Sequence, residues 1–147
     1  MMAMNGDGKI PAAALVKPAV SRHRPQVLIV EDEPLIALNA EAILEEAGFE
    51  VTGIAATHAQ ACALADALPP DLAVVDMNLI DGRRGLAVAQ HIHGAHGAMI
   101  VMATANPEGI ATGGAIHSVL RKPYSDDALA RAAGDALVAG ACRRSVA

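Results

Sequence analysis

Val27-Leu28-Ile29-Val30-Glu31-Asp32-Glu33-Pro34 is the stretch that decides the fold. Four apolar, mostly β-branched residues run without alternation into three acids and a proline. Such a run reads as a strand buried on both faces, as in a parallel sheet. Pro34 suits the first turn of a helix, where its missing N–H costs nothing. Glu31, Asp32 and Glu33 therefore fall at the carboxyl end of a central strand. Two carboxylates about 4 Å apart repel by roughly 4 kcal/mol at an effective dielectric of ~20. Acids gathered there must either face water or enclose something positive.

Three further runs share this character. Leu72-Ala73-Val74-Val75 ends in Asp76, Met99-Ile100-Val101-Met102-Ala103 in Thr104, and Ile116-His117-Ser118-Val119-Leu120 in Arg121-Lys122-Pro123. Ligands of an open parallel sheet bind beyond the carboxyl ends of its strands, where strand order reverses. Glu31, Asp32, Asp76, Thr104 and Lys122 can thus meet although far apart in sequence.

Between the strands lie helical patterns. Residues 34–47 carry Ile36, Ala40, Ile43 and Ala47 as an inward stripe, with Glu41, Glu45 and Glu46 facing water, and Gly48 as the stop. Val51 to Ala55 reads as a second strand. Thr57 caps a helix from about His58 to Leu68, ended by Pro69-Pro70. A turn-rich loop, 78–85, precedes a helix to about His93. Segment 106–114 holds three glycines and a proline, which predicts a short or irregular fourth helix. A last helix starts at Ser125 or Asp126, with Leu129, Ala133, Ala136 and Leu137 inward. Five alternations of strand and helix predict an α/β fold, a parallel sheet covered on both faces.

The 147 residues, 53% hydrophobic, suffice for one cored domain. The expected organisation is a flexible N-terminal arm over 1–25, a folded domain over 26–141 and a short tail over 142–147. In the arm, Lys17, Arg22 and Arg24 are candidates to touch an acidic surface. No apolar run approaches the roughly 20 residues of a membrane span, and no signal peptide is evident. A cytoplasmic location is expected. Cys62 and Cys142 lie in alanine-rich helical patterns and read as buried thiols. Residues 26–147 hold seven basic against fifteen acidic side chains, which argues against nucleic-acid binding. Phe49 and Tyr124 are the only aromatics, too few for a base-stacking platform. His91, His93 and His96 read as a polar helix end, because their spacing does not align all three on one helix face.

Glu31, Asp32 and Asp76 form a hard-oxygen donor set suited to Mg²⁺. Lys122 adds an ammonium and Thr104 a hydroxyl. Metal, ammonium and hydroxyl together suit a transferring phosphoryl group. Asp76, alone at its strand end, is the candidate nucleophile.

This constellation resembles the receiver domain of two-component response regulators. The likeness rests on Val27 to Glu33, Val74-Val75-Asp76-Met77-Asn78-Leu79, Ala103-Thr104-Ala105 and Arg121-Lys122-Pro123, and covers residues 26 to about 140. It implies a five-stranded, doubly wound (βα)5 sheet of flavodoxin-like order 2-1-3-4-5. It implies Asp76 as phosphoacceptor, and Glu31, Asp32, Asp76 and the Asn78 backbone carbonyl as Mg²⁺ ligands. Thr104 and Lys122 would respond to the phosphoryl group. Asn78 and Asn106 would tune hydrolysis, and the bond before Pro123 would be cis. The family's aromatic switch position is Val119 here. With the eroded fourth helix and Ala103-Thr104, this resembles the FATGUY-type receivers, many of which stand alone in alphaproteobacterial signalling.

The implied function is a stand-alone regulator, not an enzyme. It would be phosphorylated by a sensor histidine kinase or histidine phosphotransfer protein. It would signal by binding a protein through 106–124 and the last helix, or act as a phosphate sink. Neither nucleic acid nor membrane is expected as a partner, and homodimerisation stays open. The alternative is a receiver-fold interaction module that works unphosphorylated. A phosphohydrolase usually needs a second acid where Asn78 stands, and a flavin phosphate would be repelled by Glu31-Asp32-Glu33.

Overall fold

The computed structural model describes residues 24–146; the expected arm, with Lys17 and Arg22, lies outside the described residues apart from Arg24 and Pro25. The strands are β1 (Gln26–Val30), β2 (Glu50–Ala55), β3 (Leu72–Asp76), β4 (Met99–Thr104) and β5 (Ile116–Arg121). The helices are α1 (Pro34–Glu46), α2 (His58–Ala67), α3 (Gly85–His96) and α4 (Asp126–Val146). All strand pairs are parallel, in the order β2-β1-β3-β4-β5. The expected sheet is the observed one.

The reason lies in burial. Every residue of β3 and β4 is buried, as are Val27 to Val30, whereas the edge strands β2 and β5 are mostly half-exposed. Unalternated apolar runs can sit only where both faces are covered. On one face Leu28, Val30, Val75, Ile100 and Met102 pack against α2 and α3, through Ala61, Ala65, Val88, Ala89 and Ile92. On the other, Val27, Ile29, Val74 and Val101 pack against α1 and α4.

Local signals behave as their chemistry requires. Pro34 opens α1, and the Thr57 hydroxyl accepts the Gln60 N–H to cap α2. Gly48, at φ +101°, makes the left-handed turn after α1. Arg24 donates to the Glu45 and Gly48 carbonyls, so it binds the end of α1 rather than an acidic side chain.

Several expectations need correction. The buried stripe of α1 is Ala37, Ala40, Ile43 and Leu44; Ile36 is half-buried and Ala47 exposed. The short fourth helix does not form: residues 105–115 are turns and bends, with Gly109, Gly113 and Gly114 at positive φ. The last helix continues through the expected tail to Val146. Its final turns contact the sheet, where Arg143 Nη1 lies 3.9 Å from Met99 Sδ. Cys62 is half-buried and Cys142 exposed, so neither is a core thiol. Among the described residues no helix is long and apolar enough to cross a membrane.

Candidate functional site

Four of the five strands each deliver one group to the same edge; the edge strand β2 delivers none. Asp76 ends β3, Glu31 follows β1, Thr104 ends β4 and Lys122 follows β5. Among the described residues, Glu31, Asp76 and Thr104 are the buried polar or charged ones, at 6%, 6% and 2% exposure. A fold that hides so few polar groups places these three at the carboxyl ends of the adjacent strands β1, β3 and β4, which marks the spot.

Lys122 joins the acids. Its Nζ donates to Glu31 Oε1 at 2.9 Å and to Asp76 Oδ2 at 3.0 Å. The second oxygen of each acid is held by backbone: Glu31 Oε2 accepts the Glu33 N–H at 3.2 Å and Asp76 Oδ1 the Asn78 N–H at 3.0 Å. Asp32 is half-buried and brings a carboxylate oxygen within 4.8 Å of those of Glu31 and Asp76. The buried acids thus enclose something positive, the ammonium of Lys122.

Thr104 repeats the turn seen at Asp76. Its hydroxyl oxygen accepts the Asn106 N–H at 3.1 Å, as Asp76 accepts that of Asn78. Its carbonyl accepts the Lys122 N–H at 2.8 Å, which ties the two strand ends together. The side chains of Asn78 and Asn106 are exposed, and Val119 is half-buried and packs against the same core cluster as Ile110 of the 105–115 loop. The Lys122–Pro123 peptide is cis.

Burial governs the electrostatics. It pushes the Glu31 carboxyl up to about 7, against the hydrogen bonds from Lys122 and the Glu33 N–H; the Asp76 charge adds to the rise. For Lys122 burial works against the ammonium. Its hydrogen bonds to Glu31 and Asp76, and their charges, outweigh that and hold it above the usual lysine value. Burial, then the Glu31 charge, raises Tyr124.

Two features were missed from the sequence. Gly85 opens α3, donating its N–H to the Met77 carbonyl at 3.0 Å. A Cβ there would lie 2.1 Å from the Asp76 carbonyl oxygen and 2.6 Å from Met77 Cα. Only glycine lets α3 start so close to the Asp76 backbone. The signal was a glycine at a helix start rather than its end. The second is the histidine group. His91 and His96 do converge, on Asp66 of the neighbouring α2, while His93 turns to the Ala98 carbonyl. Counting spacing along one helix could not reveal a partner on another. Hydrogen bonds from His96, then His91, hold the Asp66 carboxyl below its ordinary value.

Residues 27–133 match the family model of the response regulator receiver domain. The chain belongs to that family. Among curated proteins it is 37% identical over 89 residues to the phyllosphere-induced regulator PhyR of Methylorubrum extorquens, covering 60% of this chain and 33% of that one. It is 38% identical over 80 residues to the transcriptional regulatory protein PdtaR of Mycobacterium tuberculosis, covering 54% and 38%. The match thus spans only about a third of the first regulator's length and under two fifths of the second's. Among solved structures, the Erythrobacter litoralis PhyR receiver domain superposes with a TM-score of 0.73 at 30% identity, covering 79% of this chain and 92% of that one. PhyR from Brucella abortus gives 0.75 at 28% identity, covering 84% and 53%. The receiver's relatives are named as regulators, in keeping with a signalling rather than an enzymatic reading.

Proposed function

We propose that this receiver accepts a phosphoryl group on Asp76 from the phosphohistidine of a sensor kinase or phosphotransfer protein, in the cytoplasm. The observation that carries the reading is the Lys122 bridge between Glu31 and a nearly buried Asp76. An ordinary solvated acid cluster would not be drawn into the sheet edge around one ammonium.

The chemistry follows from the groups. A carboxylate oxygen of Asp76 attacks phosphorus, an O–P bond forms, and the P–N bond breaks. The donor imidazole keeps the electron pair and takes up a proton. The Asn78 N–H fixes the carboxylate's orientation, and Lys122 supplies positive charge where the phosphoryl oxygens arrive. Glu31, Asp32, Asp76 and the Asn78 carbonyl would hold Mg²⁺, since an all-oxygen, acid-rich set fits that ion. When bound, Mg²⁺ supplies charge neutralisation for the phosphoryl oxygens. Asn78 and Asn106, exposed two residues beyond Asp76 and Thr104, are placed to affect water's access to the acyl phosphate.

A protein donor is favoured by the surroundings. An apolar groove of about 460 Å³ lies beside the pocket, lined by Leu35, Ile36, Ala105, Pro123 and Tyr124 among others. Leu35 is 82% exposed there. Output would come from Thr104. Drawing its hydroxyl to the phosphoryl group gives up the Asn106 N–H and frees the 105–115 loop, changing the surface over 106–124 and α4 that a protein target would read.

The test is intact-protein mass after incubation with a small phosphodonor and Mg²⁺, then with a phosphorylated kinase, for wild type and Asp76→Asn. One phosphoryl group on wild type alone is expected. A blank with both donors would leave the second reading, a module that binds its partner unphosphorylated. Val119 at the aromatic switch position favours that alternative.

A further inference from the structure

A second cluster lies at the other edge of the sheet. Asp66 sits in the last turn of α2, and His91 and His96 lie in α3. Nε2 of His91 is 3.1 Å from Asp66 Oδ1, and Nε2 of His96 is 2.6 Å from the same oxygen. The three donor atoms all lie within 4.8 Å of one another. From this convergence we infer that Asp66, His91 and His96 form a binding site for a zinc-class divalent cation, separate from the acidic pocket.

The donor geometry supports it. A tetrahedral cation with nitrogen and oxygen ligands at about 2.0–2.1 Å sets neighbouring donors roughly 3.3 Å apart. The His91–Asp66 edge already has about that length, and the His96–Asp66 edge needs only a small expansion. Binding exchanges two N–H···O contacts for two N–metal bonds. Each ring then carries its hydrogen on Nδ1 and offers the Nε2 lone pair. Two imidazoles and one carboxylate leave a fourth position for water.

The donor types separate this site from the first. Glu31, Asp32 and Asp76 offer oxygen alone and suit Mg²⁺. Imidazole nitrogen favours zinc-class ions over magnesium. Access is graded: the side chains of Asp66, His91 and His96 are 54%, 37% and 15% exposed, so one imidazole is well held while the carboxylate is open to an arriving ion. His93, whose Nδ1 bonds the Ala98 carbonyl at 3.0 Å, stays out of the set.

Position gives the consequence. His96 ends α3 three residues before β4 begins, and Asp66 lies shortly before β3. The cluster is therefore at the amino-terminal edge of the strands, and Asp76 at the carboxyl edge. A bound cation would pin α2 to α3 more firmly than the two hydrogen bonds to Asp66 do, where the helices also contribute small side chains such as Ala61, Ala65 and Ala89 to one core cluster.

The experiment is a Zn²⁺ titration of the full chain by calorimetry, with magnesium in excess to fill the acidic pocket. The proteins are wild type, His91→Gln/His96→Gln, Asp66→Asn and Glu31→Gln/Asp76→Asn. Wild type and Glu31→Gln/Asp76→Asn should each take up one zinc per chain and gain about 5 °C in Tm. The two cluster variants should bind at least tenfold more weakly. No uptake by wild type, equal uptake by the histidine variant, or loss of uptake in Glu31→Gln/Asp76→Asn would overturn the inference. Circular dichroism checks that the histidine variant folds. Should it not, the Co²⁺ absorption spectrum of Asp66→Asn against wild type decides: unchanged tetrahedral bands reject the site.

Discussion

At the scale of single residues, Glu31 carries a cost that the pocket sets. Folding buries it beside Asp76, so the folded chain holds its proton up to about 7, against an ordinary value of 4.5. Between those values the folded state binds more protons than the unfolded one, and stability falls as pH rises. The contribution is fully present below 4.5 and lost through 7. In chelator, the Tm of wild type should fall relative to Glu31→Gln over this range; parallel curves would contradict the assignment. Lys122 argues the complementary case. Lys122→Met leaves Glu31 and Asp76 facing each other without an ammonium. Breaking a buried pair costs about 3–5 kcal/mol, and the proton that Glu31 can take reduces that to roughly 1–3 kcal/mol. Urea unfolding without metal should show the loss, and magnesium should restore more stability in this variant than in wild type.

At the scale of elements, α3 is seated directly on the backbone of Asp76 and Met77 at the end of β3. The close approach at Gly85 leaves no room for a methyl group, since its neighbours there are backbone atoms. Gly85→Ala should therefore destabilise by about 2 kcal/mol or more and slow phosphoryl uptake, although the residue touches no ligand. Equal labelling rates for Gly85→Ala and wild type would show that α3 does not position Asp76. Elements also show what the sequence could carry. Buried parallel strands announce themselves, because β1, β3 and β4 have no solvent face and so no alternation, and the acids after β1 and β3 and the hydroxyl of Thr104 ending β4 are read directly off their ends. Helix phase was harder. In α1 alanine recurs at many positions, so Ala37 and Leu44 could replace Ile36 and Ala47 in the inward stripe without altering the composition. The end of α4 was hidden for a related reason: Gly134 and Gly140 cost only about 1 kcal/mol each in a helix, less than an alanine-rich helix resting on the sheet can absorb. The Asp66 cluster needed tertiary structure, since its ligands come from two helices.

At the scale of the whole molecule, the sheet separates a rigid part from a movable one. β1, β3 and β4 are sealed by helices on both faces. The connection from β4 to β5 has no helix and is anchored inward by Ile110, which packs against the same core cluster as Val119. Phosphorylation can shift only an element with two arrangements whose energies the phosphoryl group biases unequally. A core packed at crystal-like density offers no second arrangement, whereas turns held by few bonds do. The Thr104 hydroxyl holding the Asn106 N–H is the bond a phosphoryl group would compete for. Hydrogen exchange should accordingly quicken at the Asn106 amide and across 105–115 on phosphorylation, while β1 and β3 stay protected. In Thr104→Ala the Asn106 amide should exchange fast from the start, and phosphorylation should add little. Slower exchange across the loop, or the same response in Thr104→Ala as in wild type, would mean that the signal leaves Asp76 by another route. One other covalent path from the pocket runs through Lys122, whose backbone N–H binds the Thr104 carbonyl, and then α4. The changes would in that case appear at the amino end of α4.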